Sequence, residues 1–587
     1  MTSLQNLGRV ISADILIVGG GIGGLAAAIS ARESCPEADV LVVEKNVSGW
    51  AGLANKGHGH LWFLAPEADA AAFLDFHVRH IGMFLEDQRL LSEFARESHE
   101  TLERFDAWGA RLCRDKNGSF FKEPIKPSLP WSMTVADLDM LLPVYRHAIR
   151  LGVRFIDKTA VVDLLKDGSA VTGAVGFSVL DGTCLLLTAR ATVLAAGGQS
   201  FRILSGWSSQ RGDGIAAAYR AGAEMRSAEF GSSIEFVDSR SKRPVDGAEE
   251  ALYDATGQLI TPLAGRESES ALGVQDAVAW YRATLVGNGP IVTHHDENPL
   301  MCEGAGVQGE GGSTSSGSKL ALGASGPMPC EAACERPRFD AYRERQARKA
   351  RAVEGEGRVA EVLPGMASEL SPVKVDHTMA TTVPGLFAIG NTCYTGSAIV
   401  GAVPASPGRM HGSGLTGALW MGMRAGVSAV AFARSAPEPI ADSDHAAVLK
   451  HRAFAPLDRA QGVTPLQLVD EVKATMSPIG YSVFRSRWRM EEALAKVLAA
   501  GEKFGSLVAG DPHHLAACNE ARSMVLCAEM FYRSSLERKE SRGWFVREDY
   551  PERDDRGWLK WIVLKDVHGA MTVSTEPVPI EDYPVRP

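Results

Sequence analysis

The 587-residue chain lacks several features that would place it in a specialised class of proteins. Its nine cysteines form no C-x-x-C pair, so the sequence predicts neither a zinc site nor an iron–sulfur cluster within this chain. The formal net charge is −10, which gives no basic field to attract nucleic acid. Scattered thiols of this kind are expected to be reduced, which favours a cytoplasmic location.

Long uninterrupted hydrophobic runs are also missing. The first apolar run, residues 15–18, has neither a basic leader nor a small-residue cleavage pattern. The uncharged stretch 382–408 is interrupted by three prolines and several glycines, and is therefore expected to form loops inside a protein. The sequence predicts no transmembrane span.

The chain does contain a nucleotide-binding fingerprint between residues 14 and 44. An apolar run suited to a buried strand leads into G-x-G-x-x-G, and a second apolar run ends in an acid. The glycines allow a tight turn and a close approach of pyrophosphate to a helix N-terminus, and the acid can hold a ribose hydroxyl. The residues predicted here to bind the cofactor are Gly19, Gly21, Gly23, Gly24, Glu44, Lys45 and Gly52.

Two further blocks return to the same ligand. Residues 192–198 read as a buried strand ending in small residues, followed by an R-G-D-G turn at 211–214, and residues 382–391 resemble a second strand and turn. Because a simple nicotinamide fold does not need these blocks, they favour FAD over NAD. The cofactor-binding residues that they predict are Ala196, Gly197, Asp213, Gly390 and Asn391.

The order of these patterns predicts an α/β chain with a discontinuous, Rossmann-like FAD domain of the two-dinucleotide-binding type at residues 1–226 and 365–435. An α+β capping and substrate domain is predicted at 227–364, and a helical C-terminal domain at 436–587. Helices are predicted in the first part at 73–80, 90–108, 135–149 and 215–221. In the C-terminal part they are predicted at 466–475, 491–500 and 514–536. The Gly/Ser-rich segment 302–326 is expected to be a mobile loop.

Four blocks together resemble the flavoprotein subunits of the succinate dehydrogenase and fumarate reductase superfamily. They are residues 19–44, 193–214 and 381–391, and a C-terminal S-R-G-x-x-x-R-x-D-x-P-x-R-D-D block at 541–555. A G-x-G-P-I turn at 287–291 is similar to the alpha subunit of adenylylsulfate reductase. The resemblance implies an FAD-dependent oxidoreductase that transfers hydride at a carbon–carbon bond next to a carbonyl or carboxylate.

The run R-M-H-G-S-G-L at 409–415 is similar to the R-x-x-S-x-S-L turn of this superfamily. The resemblance implies that Arg409 clamps a substrate carboxylate and that Ser413 and Leu415 contact the flavin; the alternative is an arginine paired on a surface helix. His411 or a residue of the cap, with His295 as the candidate, would move the second proton. No metal site is predicted. His295 and the adjacent His294 could be considered as ligands, but neighbouring side chains on extended chain face opposite ways.

Departures from the superfamily pattern keep other interpretations open. The stretch 48–52 has no histidine to carry a covalent flavin, so dissociable FAD is expected. His58 and His60 are expected to face either the flavin or solvent. The C-terminal charges are expected to form a mostly solvated ion-pair network, with Arg542 near the site.

The H-P-T-G and R-G-E-G-G patterns of the superfamily are missing from this sequence. One alternative is therefore an adenylylsulfate-reductase-like flavoprotein with an iron–sulfur partner subunit; another is a non-catalytic flavin-binding subunit.

Overall fold

A computed structural model describes most of the chain. The described ranges are 4–55, 59–122, 131–137, 139–203, 210–231, 233–240, 252–260, 279–294, 359–367, 370–393, 413–543 and 545–587.

A seven-stranded sheet forms the centre of the described part. Its strands are β1 (Arg9–Val18), β2 (Val40–Val43), β5 (Arg154–Ile156), β6 (Thr159–Asp167), β7 (Ala170–Ser178), β8 (Cys184–Leu194) and β14 (Leu386–Ala388). The order is β5-β2-β1-β8-β7-β6, and β14 pairs with the C-terminal end of β8. β5, β2, β1, β8 and β14 are parallel, whereas β6, β7 and β8 form an antiparallel meander.

The register brings the predicted cofactor blocks to one edge of this sheet. Val18 pairs with Val43 and with Leu194, and Leu194 pairs with Ala388. The loops that leave these four residues therefore emerge side by side at the carboxyl ends of parallel strands. In open α/β sheets this is the edge where ligands bind.

The helices pack around this sheet and extend to the C-terminus. Their bounds are α1 (Leu4–Leu7), α2 (Ile22–Ser34), α3 (Ala70–His80), α4 (Gln88–Phe105), α5 (Leu141–Arg150), α6 (Asp213–Ala221), α7 (Ser413–Ser435), α8 (Ser443–Phe454), α9 (Pro465–Met476), α10 (Ile479–Ser482), α11 (Arg487–Gly501) and α12 (Pro512–Glu537). A short helical stretch also covers 279–285.

Helix α7 lies directly against α2. A Cβ added at Gly422 would overlap the carbonyl oxygen of Gly23, and one added at Gly426 would overlap that of Ala27. By length and composition alone the stretch Gly414–Ser435 could cross a membrane. However, 67% of its most apolar 18-residue segment is buried inside the molecule. This burial and the close backbone contact are typical of a core helix.

Smaller sheets complete the described part. Their strands are β3 (His60–Phe63), β4 (Ser132–Val135), β9 (Met225–Arg226), β10 (Ser233–Asp238), β11 (Leu252–Tyr253), β12 (Val292–His294), β13 (Val359–Ala367), β15 (Phe484–Arg485), β16 (Val546–Arg547), β17 (Lys560–Val567) and β18 (Ala570–Pro577). β3 pairs with β4, and β15 with β16. The other two sheets have the orders β10-β13-β12-β11 and β18-β17-β9. Most of the first of these lies within the predicted cap at 227–364, although β13 continues to Ala367. The boundaries of the cap stay a prediction.

One prediction about secondary structure is wrong. The helix predicted from residue 135 begins only at Leu141, because Val135 ends β4 and pairs there with His60. The C-terminal region is helical as predicted, and after its last helix it adds a hairpin, β17 and β18, that the sequence analysis did not predict. β17 joins this hairpin to β9, more than 300 residues earlier in the chain, through the pairs of Val563 with Arg226 and Leu564 with Met225.

The expectation of reduced thiols holds at most of the described cysteines. Those that are free and buried are Cys35, Cys184, Cys393, Cys518 and Cys527. Cys113, in contrast, is disulfide-bonded, so the expectation is wrong at that position.

Candidate cofactor site

The fingerprint turn depends on glycine at two positions. Gly19 has a φ of +116°, and a Cβ there would overlap the carbonyl oxygen of Ala195. A Cβ at Gly24 would overlap the carbonyl oxygen of Gly19, so α2 can begin this close to β1 only without a side chain. The two glycines thus set the narrow strand-to-helix turn that the sequence predicts.

The start of α2 leaves room for an anionic group. Gly21 is the N-cap residue, and no side chain caps the helix. A Cβ at Gly21 would find its nearest neighbour, the carbonyl oxygen of Ala51, at 3.6 Å, and one at Gly52 would lie 3.8 Å from the Cα of Gly21. Unpaired N–H groups and the helix dipole favour a phosphate in such a position. The residues present therefore fit the pyrophosphate of FAD.

Gly23 has a second function in packing. A Cβ there would lie 3.2 Å from the carbonyl oxygen of Ala418 and 3.4 Å from the Ile389 side chain. Glycine at this position allows α7 and the loop after β14 to approach α2. The direct cofactor contact of Gly23 stays a prediction.

Glu44 is held in place by two backbone donors. Its Oε2 accepts a hydrogen bond from the N–H of Gly20 at 2.7 Å, and its Oε1 accepts one from Asn46 at 2.7 Å. The residue is only 7% exposed. Each carboxylate oxygen has a second lone pair, so the side chain can still accept hydrogen bonds from ribose hydroxyls.

Gln210 joins the second and third cofactor blocks. Its Oε1 accepts hydrogen bonds from the N–H of Gly198 and from Nδ2 of Asn391, the latter at 3.3 Å. Thr392 adds a bond from its hydroxyl to the carbonyl of Gly197 at 3.2 Å. Gly197 and Gly390 both have positive φ, at +74° and +56°. These contacts hold the loops after β8 and β14 together beside the fingerprint.

Ala196 packs against the start of α6, because a Cβ at Gly214 would lie 2.8 Å from its methyl group. Asp213, the first residue of that helix, pairs with Lys45, whose Nζ lies 2.6 Å from Asp213 Oδ2. Lys45 also contacts Glu520 of α12 at 2.8 Å. Burial by itself would lower the pKa of Lys45, but the two carboxylates outweigh it and raise that pKa above its usual value. Lys45 is therefore a fixed cation.

Sequence reasoning missed Gln210 and Glu520. Gln210 directly precedes the R-G-D-G block, so its position carried a weak signal. Glu520 gave none, because it is an ordinary polar residue within a helix and lies more than 300 residues after Asp213.

The predicted catalytic residues Arg409, His411 and His295 lie outside the described residues, as do His58 and the segment 302–326. Ser413 begins α7, where Leu415 is partly buried against the main core. His60 lies in β3, where burial lowers its pKa to about 4 and keeps the imidazole neutral at pH 7.

The C-terminal charges form a network that is more buried than predicted. Arg542 is 1% exposed and pairs with Glu540 at 2.7 Å and Asp555 at 2.9 Å, besides donating to the carbonyl oxygen of Met83. Arg547, also 1% exposed, pairs with Asp549 at 2.7 Å. The solvated interpretation is wrong for Arg547, and the contacts of Arg542 are those of a structural residue.

Comparison with known proteins gives the class first. Residues 14–248 match the family described as FAD binding domain, so the chain is an FAD-dependent oxidoreductase. Residues 470–587 match the family described as fumarate reductase flavoprotein C-term. The two matches confirm the resemblance to the flavoprotein superfamily of succinate dehydrogenase and fumarate reductase that the four sequence blocks indicate.

Several relatives align over nearly the whole chain. A fumarate reductase (CoM/CoB) subunit of Methanothermobacter marburgensis is 26% identical, and the alignment covers 94% of this chain and 96% of the relative. The fumarate reductase flavoprotein subunit of Haemophilus influenzae is 24% identical, with 97% and 95% covered.

Solved structures share the fold. The Escherichia coli quinol fumarate reductase superposes with a TM-score of 0.77 at 20% identity, covering 98% of each chain. An adenosine-5-phosphosulfate reductase in complex with sulfite also gives 0.77 at 21% identity, covering 97% of this chain and 96% of that one. The predicted fold class is confirmed.

Proposed function

We propose that this fumarate-reductase-like flavoprotein transfers a hydride to or from a carbon–carbon bond activated by a neighbouring carbonyl or carboxylate. The observation that carries the proposal is the full-length alignment with relatives named fumarate reductase. Bound FAD would supply two-electron hydride exchange at N5. The glycine turn of α2, Glu44 and the loops joined by Gln210 would hold it at the edge of the sheet.

The flavin is proposed to be bound without a covalent link. The loop 48–52 carries no histidine, and Gly49 has a φ of +78°. A Cβ at Gly49 would lie 2.9 Å from the Cβ of Tyr145, so a larger residue is disfavoured there. Acid precipitation should release a yellow supernatant with the FAD spectrum. Flavin that stays in the pellet would contradict this part of the proposal.

Arg409 is proposed to bind the substrate. A guanidinium group can hold a planar carboxylate with two parallel hydrogen bonds. A fixed positive charge there would also stabilise negative charge that develops on the substrate during the reaction. His411 or His295 would then move the second proton.

The chain is proposed to work with an electron-transfer partner, since the relatives are named as subunits of larger enzymes. An iron–sulfur protein is one candidate for this partner, and a cytoplasmic location is part of the proposal. Affinity purification from the native host should recover a redox protein in stoichiometric amount. If the chain is recovered alone and is fully active with a small-molecule electron donor, the proposal of an electron-transfer partner is wrong.

Anaerobic reoxidation of the chemically reduced protein tests the reaction class. Fumarate or another unsaturated carboxylic acid should restore the oxidised flavin spectrum, with formation of the saturated acid. Reoxidation by adenylylsulfate alone would assign the chemistry to sulfur instead. If neither compound reoxidises the flavin, the interpretation as a non-catalytic subunit is favoured.

A further inference from the structure

Glu520 contacts cations from separate parts of the cofactor-binding region. It lies within α12, and its side chain is 15% exposed. Its Oε1 is 2.8 Å from Lys45 Nζ, and its Oε2 is 2.6 Å from Arg202 Nη2 and 3.1 Å from Arg211 Nε. One carboxylate of the C-terminal region thus forms ion pairs with three basic side chains.

The three cations come from loops that border the candidate FAD site. Lys45 directly follows Glu44 at the end of β2, Arg202 lies in the loop after β8, and Arg211 precedes the first turn of α6. Glu520 contacts all three, so it fixes these loops relative to one another and to α12.

The electrostatics favour an ionised Glu520. Burial would raise its pKa, but the charges of Lys45 and Arg211 outweigh burial and lower the pKa below the usual value for glutamate. With Asp213 the cluster contains three cations and two carboxylates, which leaves one positive charge in excess.

Some polar atoms of the cluster have no hydrogen-bond partner within the described part of the chain. They are Nε of Arg202, Nη1 of Arg211 and Oδ1 of Asp213, and all three are buried. The two guanidinium nitrogens are donors, and buried donors that stay unpaired are unfavourable, so they point to an acceptor outside the described residues. The excess positive charge favours an anionic acceptor, and the phosphate-bearing cofactor predicted to contact Lys45 and Asp213 is such a group.

We propose that Glu520 is a positioning residue for FAD, acting through Lys45 and Arg211. It does not bind the cofactor itself; it holds both cations in the orientation in which the cofactor meets them. This inference rests on the proposed function only in that FAD occupies the site built around Lys45 and Asp213. A consequence is reciprocal coupling: docking of α12 strengthens FAD binding, and FAD stabilises the docked helix.

The test compares Glu520→Gln with Glu529→Gln on the full-length apoprotein. Glu529 lies on the same helix and pairs with Arg533 at 2.7 Å, outside the cluster. FAD affinity is measured by titration of flavin fluorescence, and the melting temperature of the apoprotein is measured separately. We expect E520Q to weaken FAD binding by about tenfold or more, in keeping with the loss of charge-assisted hydrogen bonds. E529Q should stay within about twofold of wild type.

A double-mutant cycle shows whether Glu520 acts through Lys45. In a Lys45→Met background the added E520Q change should weaken FAD binding much less than it does in wild type. If E520Q gives no folded protein, Glu520→Asp replaces it, with an intermediate loss of affinity expected.

A merely structural Glu520 would lower the apoprotein melting temperature in E520Q and leave FAD affinity unchanged. That result, or independent effects of K45M and E520Q, would overturn the proposal. The readout is binding rather than turnover, so the two proposals fail separately. If E520Q binds FAD as tightly as wild type and wild-type turnover is normal, only the proposed role of Glu520 is wrong. If E520Q binds FAD more weakly but the wild-type protein shows no turnover, only the proposed reaction is wrong.

Discussion

The Glu44 carboxylate accepts a hydrogen bond from the backbone N–H of Gly20, with 2.7 Å between Oε2 and the nitrogen. The acid that is predicted to bind ribose is therefore fixed to the same turn that is predicted to bind pyrophosphate. Asn46 donates to the other carboxylate oxygen at the same distance. The end of β2 and the start of α2 thus form one preorganised unit.

Replacing Glu44 should weaken FAD binding without preventing it. Glu44→Ala removes the two backbone hydrogen bonds and the ribose contacts, which are worth about 1–3 kcal/mol together. The dissociation constant for FAD should rise by about 10- to 100-fold in a fluorescence titration. Glu37→Gln, at an exposed residue paired with Arg434, provides the control. An unchanged affinity in E44A would remove Glu44 from the site.

Gly21 and Gly24 should respond differently to the same substitution. Gly24→Val should lower apoprotein stability and abolish FAD binding, because its Cβ would overlap the carbonyl oxygen of Gly19. Gly21 has φ −80° and ψ −169°, which valine tolerates, and the nearest neighbour of its added Cβ, the carbonyl oxygen of Ala51, is at an ordinary contact distance of 3.6 Å. Gly21→Val should therefore keep the melting temperature of the apoprotein and lose FAD. Gly510→Ala, with open space around it, is the control. Full flavin occupancy in G21V would show that the open space at α2 is not the phosphate site.

The contact between α7 and α2 should limit the size of residue 422. A Cβ in Gly422→Ala would overlap the carbonyl oxygen of Gly23 and lie 2.8 Å from the Cβ of Ala26. Overpacking of this kind destabilises by about 1–3 kcal/mol, which chemical denaturation can measure. Gly480→Ala has no atom within 4 Å and should be neutral in comparison. Equal stability of both variants would mean that the two helices are not in close contact.

His60 should make stability depend on pH. Its pKa is about 4 in the folded chain, against an ordinary value of 6.5. Between these values the unfolded chain binds a proton that the folded chain does not, so the free energy of unfolding rises with pH and falls as the pH drops from 6.5 to 4. In His60→Gln this fall should be smaller by about 2 kcal/mol. His513→Gln, at an exposed position, should retain the full fall. If H60Q retains it as well, His60 is not protected from protonation.

The cofactor edge of the sheet was the most predictable part of the molecule, because local patterns encode it. The apolar run before Glu44 is the short buried strand β2, and the run before Gly19 is the buried carboxyl-terminal end of the longer strand β1. The glycines between them need their small size for reasons that the backbone geometry shows.

Features that depend on long-range contacts were not predictable. The hairpin of β17 and β18 joins the fold through two pairs with β9, and periodicity alone does not reveal such a partner. Arg547 is hydrophilic in any composition analysis, yet two backbone carbonyls and Asp549 satisfy it in the interior. Glu520 has its function only because α12 lies beside the loop of Lys45.

Single-turnover reoxidation of the reduced flavin by fumarate, in wild type and Arg409→Lys, tests the central claim most directly. Lysine keeps the charge but loses the bidentate geometry, so the rate should fall by about 100-fold or more. The FAD content should stay near that of wild type, because the contacts predicted to hold the pyrophosphate and ribose belong to other residues. A wild-type protein that fumarate and other unsaturated acids fail to reoxidise, or an R409K variant as fast as wild type, would contradict the claim.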